Sequence, residues 1–266
     1  MEKIGRHVYN QLKTLGELTD PQIIQVEEYE KRKGISRTYN DAELKYLERL
    51  NQKPIESNFS ISPEKLYQDF IFNFEIVNGK KFILTEDSKH NLAVLCLYFS
   101  NDDRFFSAKR LTNLSKPSFE KGLLIIGSYG NGKSSMIETF RLILQSNPSK
   151  SFKSASANQL VEDYESCQSP DDKKHFWKNV TTGRFHFGDV KTERVTNNYG
   201  KMNLYKDVIE KRYENRPKTF IDCNYDEGGD LESGLDEFGL KYGSRVYDRL
   251  PEMFNIIEFK GKSFRI

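Results

Sequence analysis

From about residue 118 onward, apolar residues follow two alternating rhythms. Short unbroken apolar runs give way to stretches where apolar positions recur every three or four residues. Gly122-Leu123-Leu124-Ile125-Ile126 has the length and composition of a strand buried on both faces. The next stretch places Met136, Ile137, Phe140, Ile143 and Leu144 at helical spacing. After the break at Asn147-Pro148-Ser149, Ala155 to Tyr164 reads as a helix, and Ser169-Pro170-Asp171-Asp172 starts another that carries Trp177. Arg184 to Val190 alternates as a strand. Gly200 to Asn215 reads as a helix through Met202, Tyr205, Val208, Ile209 and Tyr213, and Lys218 to Asn224 as a buried strand. Leu235 to Leu250 is predicted as one or two short helices, with Asn255 to Phe259 as a last strand. Strands alternating with helices imply a parallel sheet between two helical layers, an α/β/α domain.

Upstream, residues 61–117 read as a helical lead-in. Ser62-Pro63-Glu64 is a helix start with Pro in the first turn, followed by Leu66, Phe70 and Ile71 on one face. Phe82-Ile83-Leu84 is a brief extended run. Thr85-Glu86-Asp87-Ser88 caps an apolar helix through Leu92, Val94, Leu95, Leu97, Tyr98 and Phe99. Residues 1–60 form a small, mostly helical N-terminal region. Gln22 to Arg32 reads as a polar helix with Ile23, Ile24, Val26 and Tyr29 as its apolar members. Asn40-Asp41-Ala42-Glu43 resembles a second helix start, followed by Leu44, Leu47 and Leu50 and closed by Pro54. That stripe is too short to stand alone, so it packs on the main domain, on a copy of itself or on a partner. Ser57 to Ser62 reads as a linker.

The chemistry is concentrated between the first core strand and its helix. Gly127-Ser128-Tyr129-Gly130-Asn131-Gly132-Lys133-Ser134, with Ser135 next, fits G-x-x-x-x-G-K-[S/T] without a mismatch. Strand, glycine loop and helix stand in the order a phosphate loop requires. Glycines let the backbone close around an anion, and the loop N–H groups and the helix N-terminus face it. Lys133 is placed to reach the β- and γ-phosphates, and the Ser134 hydroxyl to ligate Mg²⁺. ATP with Mg²⁺ is therefore the expected ligand. Asp189, ending its strand, stands where a second core strand would deliver a carboxylate to the metal. A lone strand histidine such as His186 reads as a packed residue, since it has no metal-spaced partner.

Composition narrows the setting. In 266 residues, 30% are charged and the net charge is only +2, so no global basic field announces nucleic acid. The three cysteines, Cys96, Cys167 and Cys223, are scattered, with no C-x-x-C pair. They are expected to be reduced thiols of a cytoplasmic protein. No run approaches a membrane span and no apolar signal core opens the chain.

Several further segments resemble the AAA+ ATPases of the DnaC/IstB type, over roughly residues 118–266 and more weakly the helix at 87–99. They are Phe187-Gly188-Asp189-Val190-Lys191-Thr192-Glu193, Asn224 after its strand, the stretch Tyr242 to Leu250, and Gly261-Lys262-Ser263-Phe264-Arg265. The discriminating pair is Gly243-x-Arg245-x-x-x-Arg249-Leu250 followed by the terminal Gly-x-Ser-Phe-Arg. The resemblance implies that Asn224 is the sensor that positions the attacking water, and that Arg249 is an arginine finger for a neighbouring subunit, assisted by Arg245. It also implies that Arg265 is a second sensor on its own site. It further implies an adenine contact near the helix at 87–99 and a homo-oligomer when ATP is bound. One position departs from the family pattern. The second nucleotide motif normally carries two acids, and here the first is Gly188. Asp189 is left to serve the metal and the water, Glu193 being a weak substitute. Slow, assembly-dependent hydrolysis is expected, and Gly188→Asp is expected to raise it if the site is a weakened enzyme.

The resemblance implies a helicase loader of DNA replication. Its N-terminal region would grip a replicative helicase or another replication protein, and its ATPase domain would contact single-stranded DNA. Two alternatives stay open: an IstB-like transposition helper acting on duplex DNA, and a nucleotide-gated scaffold that binds ATP without useful hydrolysis. A small-molecule kinase would need a substrate lid that the chain does not show.

Overall fold

The structure is a computed structural model that describes residues 4–15, 18–35, 61–196, 202–225 and 229–265. The leucine stripe at 40–54, most of the linker at 57–62 and Gly228 lie outside the described residues. The chain divides into two compact units, Met1–Asn58 and Phe59–Ile266.

The first unit holds α1 (Arg6–Thr14) and α2 (Asp20–Lys33). Leu12, Leu18, Ile23 and Val26 close a small apolar cluster between them. The Tyr9 and Tyr29 rings stack at 4.5 Å, and Arg32 Nη2 donates to the Ile4 carbonyl at 2.7 Å. α2 is the helix expected from Gln22 to Arg32, ended by Gly34 in the left-handed region (φ 62°). α1 is not among the helices expected from the sequence, although Val8, Tyr9 and Leu12 recur there at helical spacing.

The second unit is built on a five-stranded, all-parallel sheet in the order β2-β3-β4-β1-β5. The strands are β1 (Gly122–Gly127), β2 (Lys153–Ser156), β3 (Phe185–Val190), β4 (Thr219–Asn224) and β5 (Phe254–Phe259). The helices α3 (Pro63–Asn78), α4 (Glu86–Ser100) and α5 (Lys133–Leu144) cover one face. There Leu66, Phe70, Leu92, Leu95, Phe99 and Phe140 pack on Leu123 and Ile125. The helices α6 (Ala157–Glu165), α7 (Pro170–Thr181), α8 (Leu204–Asn215), α9 (Leu231–Tyr242) and α10 (Ser244–Met253) are named in chain order. They cover the other face, where Leu160, Val180, Val208, Phe238 and Leu250 pack on Leu124 and Ile126. Alternate residues of β1 thus enter opposite layers, as the two-residue period of a strand demands. The lead-in helices α3 and α4 share one apolar cluster with β1.

Several expectations shift in detail. The segment read as a helix from Ala155 opens instead with β2, and its helix starts at Ala157. β2 is a four-residue edge strand, Lys-Ser-Ala-Ser, with no apolar alternation to betray it. α8 starts at Leu204 rather than Gly200, because Met202 pairs with Thr196 in an isolated bridge. Phe82-Ile83-Leu84 joins no strand. Arg212 of α8 is fully buried and donates to Thr219 Oγ1, Val180 O and Gly183 O at 2.7–2.8 Å. It ties α7, α8 and β4 together, and burial pulls its pKa down to about 10.

β1 lies between β4 and β5, so the chain leaves it toward one side of the sheet and returns on the other. Such a reversal opens a crevice at the carboxyl ends of the strands. The phosphate-loop segment, the acid of β3 and the asparagine of β4 all end there.

Candidate functional site

The loop between β1 and α5 turns through Gly130 and Gly132, at φ 73° and 92°. A side chain is strained in that region, whereas glycine enters it freely. Gly132 caps α5 and points the helix N-terminus at a cavity of about 370 Å³. One part of the lining is apolar, with Phe74, Phe82, Ile83 and Met136. The rest carries Tyr129, Gly130, Gly132, Lys133, Ser134, Ser135, Asp189, Asn224 and Arg265. Residues from widely separated segments of the chain therefore meet at one opening. Gly127, Ser128 and Asn131 do not line it; they shape the loop from behind. Asn131 Nδ2 donates to the Phe259 carbonyl of β5 at 3.0 Å. The lining segment ahead of the loop is Lys80 to Ile83 and not α4, where the adenine contact was expected.

Lys133 is buried, and its ammonium is held by four acceptors. These are Gly127 O at 3.0 Å, Ser128 O at 2.8 Å, Asn131 Oδ1 at 3.2 Å and Asn224 Oδ1 at 2.9 Å. Burial draws its pKa down, against the opposing pull of the Asp222 charge.

The acids are arranged in a way the sequence pattern does not show. β3 and β4 pair at Phe187↔Ile221 and again at Val190↔Cys223. Gly188 and Asp189 therefore oppose the single residue Asp222, a β-bulge. Asp189 sits there at φ 52°, a left-handed conformation that a side-chain-bearing residue holds only when its surroundings enforce it. Its N–H donates to Asp222 Oδ1 at 3.3 Å, and its own carboxylate reaches the cavity. Burial, and then the neighbouring Asp222 charge, push the Asp189 pKa up.

Asp222 is fully buried in β4. Its Oδ1 accepts from Ser134 Oγ at 2.9 Å, and its Oδ2 lies 2.8 Å from His186 Nε2. His186 Nδ1 in turn lies 2.9 Å from Ser154 Oγ. Burial alone would raise the pKa of Asp222. The bond to His186, the Asp189 N–H and the Ser134 hydroxyl outweigh it and hold the carboxyl below its ordinary range. His186 is the packed residue expected, and it is packed by a hydrogen-bonded acid. Asp222 was not singled out from the sequence. Its signal is an acid inside the buried run Thr-Phe-Ile-Asp-Cys-Asn, where an acid is almost never found unpaired.

The remaining candidates divide. Arg265 reaches the cavity because the C-terminal segment lies on the loop, with Phe264 N–H donating to Gly130 O at 2.9 Å. Arg249 and Arg245 lie on α10 and do not line the cavity. The Arg249 guanidinium stacks on Tyr213 at 4.1 Å, and its buried Nη1 finds no hydrogen-bond partner. Glu193 turns away, accepting from the Tyr242 hydroxyl at 2.7 Å and pairing with Lys241.

A magnesium–nucleotide complex needs few protein ligands, because phosphate and water complete the shell. The residues present fit it: a serine hydroxyl bonded to one carboxylate, with a second carboxylate at the cavity. Among the described residues no group of three or more His, Cys, Asp or Glu could hold a metal by itself. None of the described helices is long and apolar enough to cross a membrane.

No protein-family model and no curated protein matches the chain. Solved structures do. The DnaC helicase loader superposes with a TM-score of 0.53 at 17% identity, over 71% of this chain and 99% of that one. DnaI follows at a TM-score of 0.46 and 14% identity, over 67% of this chain and 88% of that one. The second unit thus shares its fold with the DnaC helicase loader, the parallel α/β/α arrangement that the sequence pattern implied.

Proposed function

We propose that this chain binds ATP with Mg²⁺ and acts in DNA replication, loading or remodelling a replicative helicase on single-stranded DNA. Its hydrolysis is slow and depends on assembly. The observation that carries the nucleotide reading is the convergence of Lys133, Ser134, Asp189, Asn224 and Arg265 on one opening at the carboxyl ends of the strands. The DnaC-like fold supports the replication role.

The division of labour follows from the residues. Lys133 and Arg265 bring two cations to the phosphates, and Gly130 and Gly132 give the anion close access to backbone N–H groups. Ser134 and a carboxylate at the strand ends would hold magnesium, which would neutralise charge building on the β- and γ-phosphates. Asn224 positions the attacking water. That water adds to the γ-phosphorus as the bond to the β–γ bridging oxygen breaks, giving ADP and inorganic phosphate. Arg249, with Arg245 beside it, completes the site of a neighbouring protomer, since neither reaches its own cavity. The apolar wall at Phe74, Phe82 and Ile83 suits the base. Residues 1–60 carry the contact to the helicase.

The test has two stages. A fluorescent ATP analogue is titrated against the full chain with Mg²⁺, with Lys133→Met as control. Capture of the replicative helicase is then compared with and without residues 1–60. Saturable nucleotide binding, helicase capture that disappears with the truncation, and a preference for single strands over duplex support the loader. A preference for duplex DNA without helicase capture would transfer the chain to the transposition-helper reading. No nucleotide binding would end both.

A further inference from the structure

We propose that Asp222, on β4, supplies the carboxylate that anchors magnesium beside Ser134, taking the place of the acid that β3 lacks at Gly188. The proposal rests on the nucleotide reading above and deepens it. It separates two tasks that the sequence pattern leaves to Asp189 alone.

The contact with Ser134 is the first support. In phosphate-loop enzymes the loop hydroxyl and a strand acid hold the metal together. Here the acid bonded to that hydroxyl is Asp222, at 2.9 Å. The hydroxyl donates its proton to Asp222 Oδ1 and keeps its lone pairs for a cation.

The space around Gly188 is the second. A Cβ built there would stand 3.5 Å from Asp222 Oδ2 and 3.4 Å from His186 Cε1. A carboxylate carried on that Cβ and the carboxylate of Asp222 would crowd one volume. The glycine and the strand acid therefore form a matched exchange: removing the side chain from one strand makes room for the acid of the next.

The bulge is the third. It sets Gly188 and Asp189 against Asp222, so the two carboxylates part company. Asp222 is buried and oriented on both oxygens by Ser134, Asp189 N–H and His186. Asp189 is solvent-accessible at the cavity. A carboxylate fixed at both ends suits a metal anchor, and outer partners of that kind tune metal sites strongly. The accessible acid is left to the attacking water.

Manganese tests the assignment directly. The affinity of Mn²⁺ for the full chain, complexed with a non-hydrolysable ATP analogue, is read from the electron paramagnetic resonance signal of free Mn²⁺. Asp222→Asn should lower that affinity about 10- to 100-fold, with nucleotide affinity in EDTA unchanged. Asp189→Asn should cut turnover yet keep Mn²⁺ affinity close to that of the wild type. Returning the acid to β3, as Gly188→Asp in an Asp222→Ala background, should recover most of the loss. Wild-type Mn²⁺ affinity in Asp222→Asn, or a tenfold or greater loss in Asp189→Asn, overturns the assignment. If Asp222→Asn does not fold, Asp189→Asn decides alone, because its side chain is solvent-accessible at the cavity. A wild-type chain that binds no nucleotide, with or without metal, overturns the ATP reading itself, a result distinct from intact nucleotide binding with misassigned metal.

Discussion

Lys133 Nζ donates to Asn224 Oδ1 at 2.9 Å, joining the start of α5 to the end of β4. The residue assigned to the phosphates and the one assigned to the attacking water therefore share one hydrogen bond. Lys133→Met should weaken ATP binding about 10- to 150-fold, the worth of one charge-assisted hydrogen bond. Isothermal titration with Mg²⁺ measures it. Asn224→Ala should act chiefly on turnover, with a smaller effect on affinity.

Arg249 and Arg265 should fail in opposite ways. Arg265 lines the cavity, so Arg265→Ala should weaken nucleotide binding in a single protomer. Arg249 lies outside it and stacks on Tyr213. Arg249→Ala should leave ATP affinity alone and lower turnover of the assembled protein about 10³-fold. Mixing Arg249→Ala with Lys133→Met protomers should restore part of the turnover, because one supplies an intact loop and the other an intact arginine. Phosphate release at fixed total protein measures it.

Gly188 reverses an expectation. From the sequence alone, Gly188→Asp restores a missing acid and raises turnover if the site is a weakened enzyme. In the structure it sets a second carboxylate beside buried Asp222, and like charges at close range oppose ionisation. Gly188→Asp should therefore destabilise the fold by about 1–3 kcal/mol and lower turnover. Gly188→Ala, whose added methyl meets only ordinary contacts, should lie near the wild type. Urea unfolding separates the two.

Lys150 gives a pH dependence. It is half-buried and donates to the Phe99 carbonyl, and burial, then the charges of Lys218 and Arg184, lower its pKa from 10.5 to about 8. Above about pH 8 the folded chain releases this proton while the unfolded chain keeps it, so stability rises with pH toward the unfolded value. Lys121 and Lys218 shift the same way and add to the slope. Between about pH 8 and 9.5 the melting temperature of Lys150→Met should rise less steeply than that of the wild type.

Much of the sheet was legible because its central strands are buried on both faces and read as apolar runs. β1 and its loop were plain for that reason, as were α4 with its Thr85 cap and α7 with its Ser169 cap. β2 was hidden because an edge strand of four small or polar residues needs no apolar pattern. The site was legible where one segment carries it, at Lys133 and Ser134. It was illegible where two strands share a task. The pairing of Asp222 with Ser134 depends on the register of β4 beside β1, and the Asp189 conformation on a bulge. Neither leaves a mark in the order of residues along the chain.

The contacts from Ser134 through Asp222 and His186 to Ser154 cross the sheet from its phosphate loop to its margin. Ser154 belongs to the outermost strand, whose far side pairs with no other described strand. The acid proposed to hold the metal is thus tied, through His186, to a residue at the rim. A Ser154→Ala change would free one nitrogen of the imidazole and loosen the acid it steadies, from a position that never meets the nucleotide.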